Sequence, residues 1–250
     1  MEAWHDQDTW WEATSKVMFR KRAWEVAPQQ VEQALALAGF EPPVRILDMP
    51  CGVGRHTMEF ARLGCTVTAV DRTAAYLKLA REQANDLGLN VEFVQADMRA
   101  FVRPEAFDMA VNLFSSIGYF KDPADDVRVM RNFYESLRPE GALVIDVAGK
   151  EVIARTFDPR DWFELDDGTL VMEERKTTQD WSWIESRWII VSPDGQRAEY
   201  PLALRLYGAS DLRRALNQAG FERVRMYGSL SGMPYDHDAQ RLVAVARKSG

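Results

Sequence analysis

Two glycines spaced one residue apart, Gly52 and Gly54, follow the apolar run VRILDM and the pair Pro50 and Cys51. Such a turn lets backbone approach a ligand closely, because glycine has no Cβ and adopts positive φ without penalty. Dinucleotide sites use it with a further Gly or Ala three residues on, for close helix packing near the pyrophosphate. That position is Thr57, so the dinucleotide fingerprint fails. Asp71 ends the next apolar run and Asp97 the one after it. A carboxylate in Asp71's place can accept hydrogen bonds from both hydroxyls of a ribose. Taken singly, Asp71 and Asp97 could each be a helix N-cap. Set after three successive strands beside Gly-x-Gly, they fit a nucleoside without phosphates.

Other reactive side chains are sparse. His5, His56 and His237 are the only histidines, and no pair of them has metal-ligand spacing, so no metal centre is expected. His56 opens the helix after the glycine turn and reads as structural or cofactor-side. Cys51 and Cys65 are too few for a disulfide framework, and Cys51 reads as a small packed residue rather than a nucleophile.

From Val44 the chain alternates β-branched runs with amphipathic helical patterns, the signature of a parallel sheet with crossover helices. Strands are predicted at residues 44–49, 65–70, 91–95, 107–112 and 142–147, and helices end at Gly64 and Gly88. A helical segment over residues 10–38 precedes this core. Residues 168–207 read as three strands of an antiparallel meander with a turn at Ser192-Pro193-Asp194-Gly195. Ser210 is expected to cap the helix ending at Gly220, and two strands, FERVRMY and RLVAVAR, complete the sheet. The predicted organisation is a helical cap over 1–40, a sheet domain over 41–156 and 208–250, and a β lid over 157–207 that projects over the carboxyl ends of the strands.

All eight tryptophans lie outside the core, in the leader or around the insertion. They either staple two appendages to the sheet or wall a substrate pocket above it, and the two readings are compatible. The sixth strand should run parallel to the first five, so its following loop would bring Tyr235 and His237 to the face where Tyr119 lies. There a tyrosine could orient an acceptor and a histidine take its proton.

With 31 Lys and Arg against 38 Asp and Glu, the net charge of -7 argues against nucleic acid as partner. The uncharged run from Met109 to Phe120 is shorter than the ~20 apolar residues of a membrane span. The N-terminus is acidic and Trp-rich rather than signal-like, so a cytoplasmic protein is expected, monomeric or homodimeric.

The motif set resembles that of the class I S-adenosylmethionine-dependent methyltransferases. ILDMPCGVGRH is similar to their first motif, VTAVD to their acidic second strand end, and FVQADM to the adenine-contacting third. FDMAVNLFSSIGYF resembles the fourth-strand motif, LRPEGALVIDV the fifth-strand approach, and LYGASDLRRALNQAGF the helix before the last hairpin. The PCGxGRH form resembles a subgroup, and departs from the usual pattern in having Pro50, which lacks an N–H, in place of Gly.

The resemblance implies a doubly wound, seven-stranded, mostly parallel sheet of Rossmann-like type with S-adenosylmethionine as cofactor. It implies that Asp48, Gly52 and Gly54 shape the methionine end, with Pro50 and Cys51 in the same cofactor-binding loop, and that Asp71, flanked by Arg72, holds the ribose. Asp97 and Met98 would meet the adenine, and Asn112, Leu113 and Phe114 would lie beside the methyl donor. The expected activity is methyl transfer to nitrogen or oxygen of a small molecule. A protein side chain as acceptor, or nucleotide binding without transfer, are the competing readings.

Overall fold

The computed structural model describes residues 3–250. A 3-10 turn at Trp4–Asp6 and three helices, α1 (Asp8–Met18), α2 (Lys21–Glu25) and α3 (Ala27–Ala38), precede the first strand. The core then runs β1 (Arg45–Asp48), α4 (Arg55–Arg62), β2 (Thr66–Asp71), α5 (Ala74–Asp86), β3 (Val91–Gln95), β4 (Phe107–Asn112), α6 (Pro123–Ser136) and β5 (Leu137–Val147). After α7 (Lys150–Thr156) come four strands, β6 (Arg160–Glu164), β7 (Leu170–Thr178), β8 (Trp183–Val191) and β9 (Arg197–Arg205). Helix α8 (Ala209–Ala219), β10 (Arg223–Tyr227) and β11 (Leu242–Arg247) close the chain.

The seven-stranded sheet has the order β10-β11-β5-β4-β1-β2-β3. Only β11 is antiparallel to its neighbours, so β10 runs with the first five strands, as the sequence predicts. The period of two along each strand divides the core. Leu47, Leu143 and Ile145 face α6 and α8, where Phe133 and Phe221 are fully buried, while Ile46, Met109 and Val144 face α3 and α4 around Val31 and Phe60. The chain moves from β1 outward to β3 and then crosses to β4 on the other side of β1. That reversal opens a crevice at the carboxyl ends of β1 and β4.

The second sheet is a meander of four strands, β6-β7-β8-β9, rather than the three expected. The missed strand, RDWFE, is short and mostly exposed, so no apolar alternation marks it. Ser210 is not the cap of α8: Gly208 holds that position, and Glu151 Oε1 accepts from the N–H of Ala209 at 3.2 Å. A carboxylate from α7 thus serves the helix end that a local serine was expected to serve.

The tryptophans join the leader to the second sheet. Indole Nε1 of Trp4 donates to the carbonyl of Ala203 at 3.0 Å and that of Trp10 to Pro201 at 3.1 Å, while Trp10 packs on Trp188. Trp10, Trp11, Val53 and Tyr76 form a buried cluster linking α1, the glycine turn and α5. Among the described residues, no helix is long and apolar enough to cross a membrane.

Candidate active site

The glycine turn is held from the neighbouring strand. The N–H of Gly52 donates to Asp71 Oδ2 and that of Thr73 to Asp71 Oδ1, both at 2.8 Å, and the N–H of Cys51 donates to the carbonyl of Val70 at 2.9 Å. Gly52 has φ +56°, and a Cβ there would sit 3.0 Å from Cζ of Phe19, so only glycine fits between the loop and the leader. Gly54, φ +85°, precedes α4 in the left-handed region. Its missing Cβ admits Met58 and Ala80, 2.9 and 3.1 Å away, which lets α4 pack on α5.

Beside this turn lies a cavity of about 320 Å³, at the crevice that the strand order opens. Pro50, Cys51, Gly52, Asp71, Arg72, Asp97, Met98, Leu113, Phe114 and Tyr119 all line it. Asp71 is buried, and burial raises its carboxyl above the usual range against the two backbone hydrogen bonds. The Thr73 side chain also hydrogen-bonds the carboxylate, which leaves it fewer lone pairs for a ligand hydroxyl. Burial works to raise Asp97 as well, but Arg99, through its guanidinium and N–H, outweighs it and holds the carboxyl below its ordinary value. Burial pushes the Cys51 thiol well up, which leaves it protonated and unreactive.

Asp48 and Asn112 lie beneath the cavity rather than on it. Thr57 Oγ1 donates to Asp48 Oδ2 at 2.6 Å, and burial pushes this carboxyl up to about 7. Asn112 Nδ2 donates to the carbonyl of Met49 at 2.9 Å, joining β4 to β1, and its Oδ1 is buried with no partner among the described residues. Phe114 and Ser115 both take left-handed φ, +68° and +63°. The N–H of Ser115 donates to the carbonyl of Asp146 at 2.8 Å, and Arg241 bridges Asp146 Oδ1 and Ser115 Oγ. Two successive strained residues survive only where their surroundings over-determine them, and such places cluster at ligand sites.

Tyr235 and His237 have no place at the cavity. The Tyr235 hydroxyl donates to Glu151 Oε2 at 2.7 Å, and the His237 side chain is 87% exposed beside Asp238. Strand direction alone misled the expectation. β10 is the edge strand, with β11, β5 and β4 between it and β1, a lateral offset of about 20 Å at ~4.8 Å per strand.

The ground over β1 and β4 belongs to the leader and the second sheet. His5, Asp6, Trp11 and Phe19 line the cavity from one side, Glu173 and Trp188 from the other, and Arg55 and Tyr76 from the core helices. None of these was singled out from sequence as a site residue. The one signal was the clustering of tryptophans in the two appendages, and Trp11 and Trp188 serve both as staples and as walls. His5 is buried beside Tyr119 and Phe120, with Nδ1 3.3 Å from Asp6 Oδ1, and desolvation lowers its pKa despite Asp6. Burial raises the Tyr119 hydroxyl to about 12.

Residues 46–141 match the family model for a methyltransferase domain. Among curated proteins, the chain is 25% identical over 209 residues to the putative methyltransferase YqeM of Bacillus subtilis, covering 82% of this chain and 84% of that one. It is 26% identical over 208 residues to the glycine/sarcosine N-methyltransferase of Halorhodospira halochloris, covering 82% and 75%. Among solved structures, the CcbJ methyltransferase of Streptomyces caelestis superposes with a TM-score of 0.78 at 22% identity, over 89% of this chain and 90% of that one. An S-adenosylmethionine-dependent methyltransferase from Clostridium acetobutylicum gives 0.78 at 15% identity, over 96% and 97%. At such identities the structural likeness is one of fold. Residues 46–141 therefore match a methyltransferase domain, and the chain is an enzyme built on the class I methyltransferase fold.

Proposed function

We propose that the chain binds S-adenosylmethionine in this cavity and transfers its methyl group to a nitrogen or oxygen atom of a small molecule. The observation that carries the reading is the cavity at the switch point of the sheet, lined by the glycine turn and by aromatic residues of two appendages. Its volume lies at the lower end of the usual ~300–1,000 Å³ for small-molecule sites.

The residues suit the cofactor. Gly52 holds the turn in the left-handed conformation against Phe19, and Asp71, which fixes that turn, lines the cavity where a ribose would lie. Met98 offers an apolar surface for adenine at the end of β3, and the Asp97 carboxylate, held by Arg99, lines the same cavity. When bound, the cofactor supplies a methyl group on a sulfonium, already a strong electrophile.

What remains for the protein is orientation, exclusion of water and removal of a proton where the acceptor carries one. Trp11, Tyr76, Tyr119 and Trp188 supply the dry wall. Tyr119, neutral at physiological pH, donates a hydrogen bond that fixes the acceptor, and His5, whose imidazole is also neutral there, receives a proton. Aromatic faces among the lining residues favour an amine over a neutral alcohol as acceptor, and the H. halochloris relative is named as an N-methyltransferase.

The test is transfer of label from methyl-labelled S-adenosylmethionine to a panel of small amines, small hydroxyl compounds and a basic peptide. Label in one or more of the small molecules is expected. Label confined to the peptide, or no transfer to any class, contradicts the reading.

A further inference from the structure

The loop after β4 is pinned on both sides of the two residues it brings to the end of the cavity lining, Tyr119 and Phe120. Before them stands Gly118, whose N–H donates to Asp126 Oδ1 at 3.1 Å and whose carbonyl accepts from the N–H of Arg205 at 2.7 Å. Gly118 has φ +102°, and a Cβ there would lie 2.6 Å from the carbonyl oxygen of Arg205, so the loop sits directly against the end of β9. After them stands Lys121, whose carbonyl accepts from Arg205 Nη2 at 3.0 Å. One arginine of the second sheet thus holds the loop at both points.

Asp126 lies in the first turn of α6 and is fully buried. The helix end does not need it, because Asp122 already caps α6 through the N–H of Ala124 at 2.9 Å. Asp126 Oδ2 accepts from the Tyr207 hydroxyl at 2.9 Å and stands 3.7 Å from Arg205 Nε, which is buried and has no hydrogen-bond partner among the described residues. Burial raises the Asp126 carboxyl to about 6, against the bonds from Gly118 and Tyr207 and the charge of Arg205. Filling such a site with an apolar side chain of similar volume often costs no stability, so a buried ion pair is a poor way to hold a core together. What it does supply is fixed geometry. Here the carboxylate joins α6, the loop after β4 and the chain leaving β9 at one point.

We infer that Asp126 and Arg205 are positioning residues for methyl transfer: they hold both ends of the segment carrying Tyr119 and Phe120 and set it in register with the second sheet, which supplies Glu173 and Trp188 to the same cavity. The inference rests on the role given to Tyr119 in the preceding section. Neither Asp126 nor Arg205 is among the residues lining the cavity, so both act through the loop.

The experiment measures kcat, KM and cofactor affinity in Asp126→Ala, Asp126→Asn, Tyr119→Phe and the double variant of Asp126→Ala with Tyr119→Phe. The acceptor is the panel compound that takes up label in the transfer assay above, and affinity is read by titration with S-adenosylhomocysteine. Asp126→Ala should lower kcat about five- to tenfold, the loss expected for Tyr119→Phe, and change affinity for S-adenosylhomocysteine less than twofold. The double variant should lose no more than the worse of the two single ones, because residues that act as a unit are not additive. Asp126→Asn keeps an oxygen for the Gly118 N–H and should recover most of the loss. Should Asp126→Ala not fold, Arg205→Gln, which loosens the brace on Lys121, takes its place in the cycle with the same expectation. Losses that multiply in the double variant, or cofactor affinity that falls together with kcat, would overturn the inference and leave Asp126 as a support of the fold. A wild type that methylates no compound of the panel would instead overturn the function proposed above, and this inference with it.

Discussion

Asp48 shows how a residue named for a ligand can act through the fold instead. It is 2% exposed, and its contact is with Thr57 rather than the cavity. Its carboxyl titrates at about 7 in the folded protein, against about 4 in an unfolded chain. Between these values the folded form holds a proton that the unfolded form has released, so its stabilising contribution is complete below the lower value and is lost as pH rises through the upper. Asp48→Asn keeps an acceptor for Thr57 and removes the titration. Melting curves from pH 5 to pH 8 should show the Asn variant gaining on the wild type as pH rises, and a constant offset would contradict the assignment. Tyr119 makes the complementary case at the cavity surface. Tyr119→Phe removes one neutral hydrogen-bond donor, which is worth about 1 kcal/mol. Turnover should fall five- to tenfold with cofactor affinity unchanged, and steady-state kinetics beside a binding titration would detect any other pattern.

At the scale of elements, the sheet was legible in sequence because its central strands, such as β2 and β4, are buried on both faces and read as near-continuous apolar runs. Residues 91–95 and 107–112 are strands with the predicted bounds. What the sequence hid was material whose partners lie far along the chain. β6 carries mostly exposed residues, and the cap of α8 is a carboxylate some 58 positions away. The leader shows the same limit. Its helical pattern could be read, but its docking depends on carbonyls of Pro201 and Ala203 that no local pattern reveals. Trp11 is the test of this docking, since its ring is buried, its Nε1 donates to the carbonyl of His5 at 2.9 Å, and it walls the cavity. Trp11→Ala should cost about 3–5 kcal/mol, lowering the melting temperature by roughly 10 °C and raising KM for the acceptor. A melting temperature within 2 °C of the wild type would show that the leader does not depend on this ring.

Across the whole molecule, the candidate site is assembled from three regions that sequence order keeps apart. The parallel sheet supplies the glycine turn, Asp71 and Asp97, the leader supplies His5 and Trp11, and the second sheet supplies Glu173 and Trp188. The part of the cavity proposed for the cofactor was readable as a cluster because it follows from strand ends and glycines placed within one half of the chain. The acceptor side was not, because it forms only when residues near position 5 meet residues near position 188, and the loop carrying Tyr235 and His237 joined the wrong edge of the sheet. The account stands on the claim that the cavity takes an adenosyl sulfonium cofactor and not a dinucleotide. Calorimetric titration of the wild-type protein with S-adenosylhomocysteine and with NAD tests this most directly. One equivalent of S-adenosylhomocysteine should bind, with no detectable heat from NAD under the same conditions, whereas tighter binding of NAD, or none of S-adenosylhomocysteine, would contradict the account.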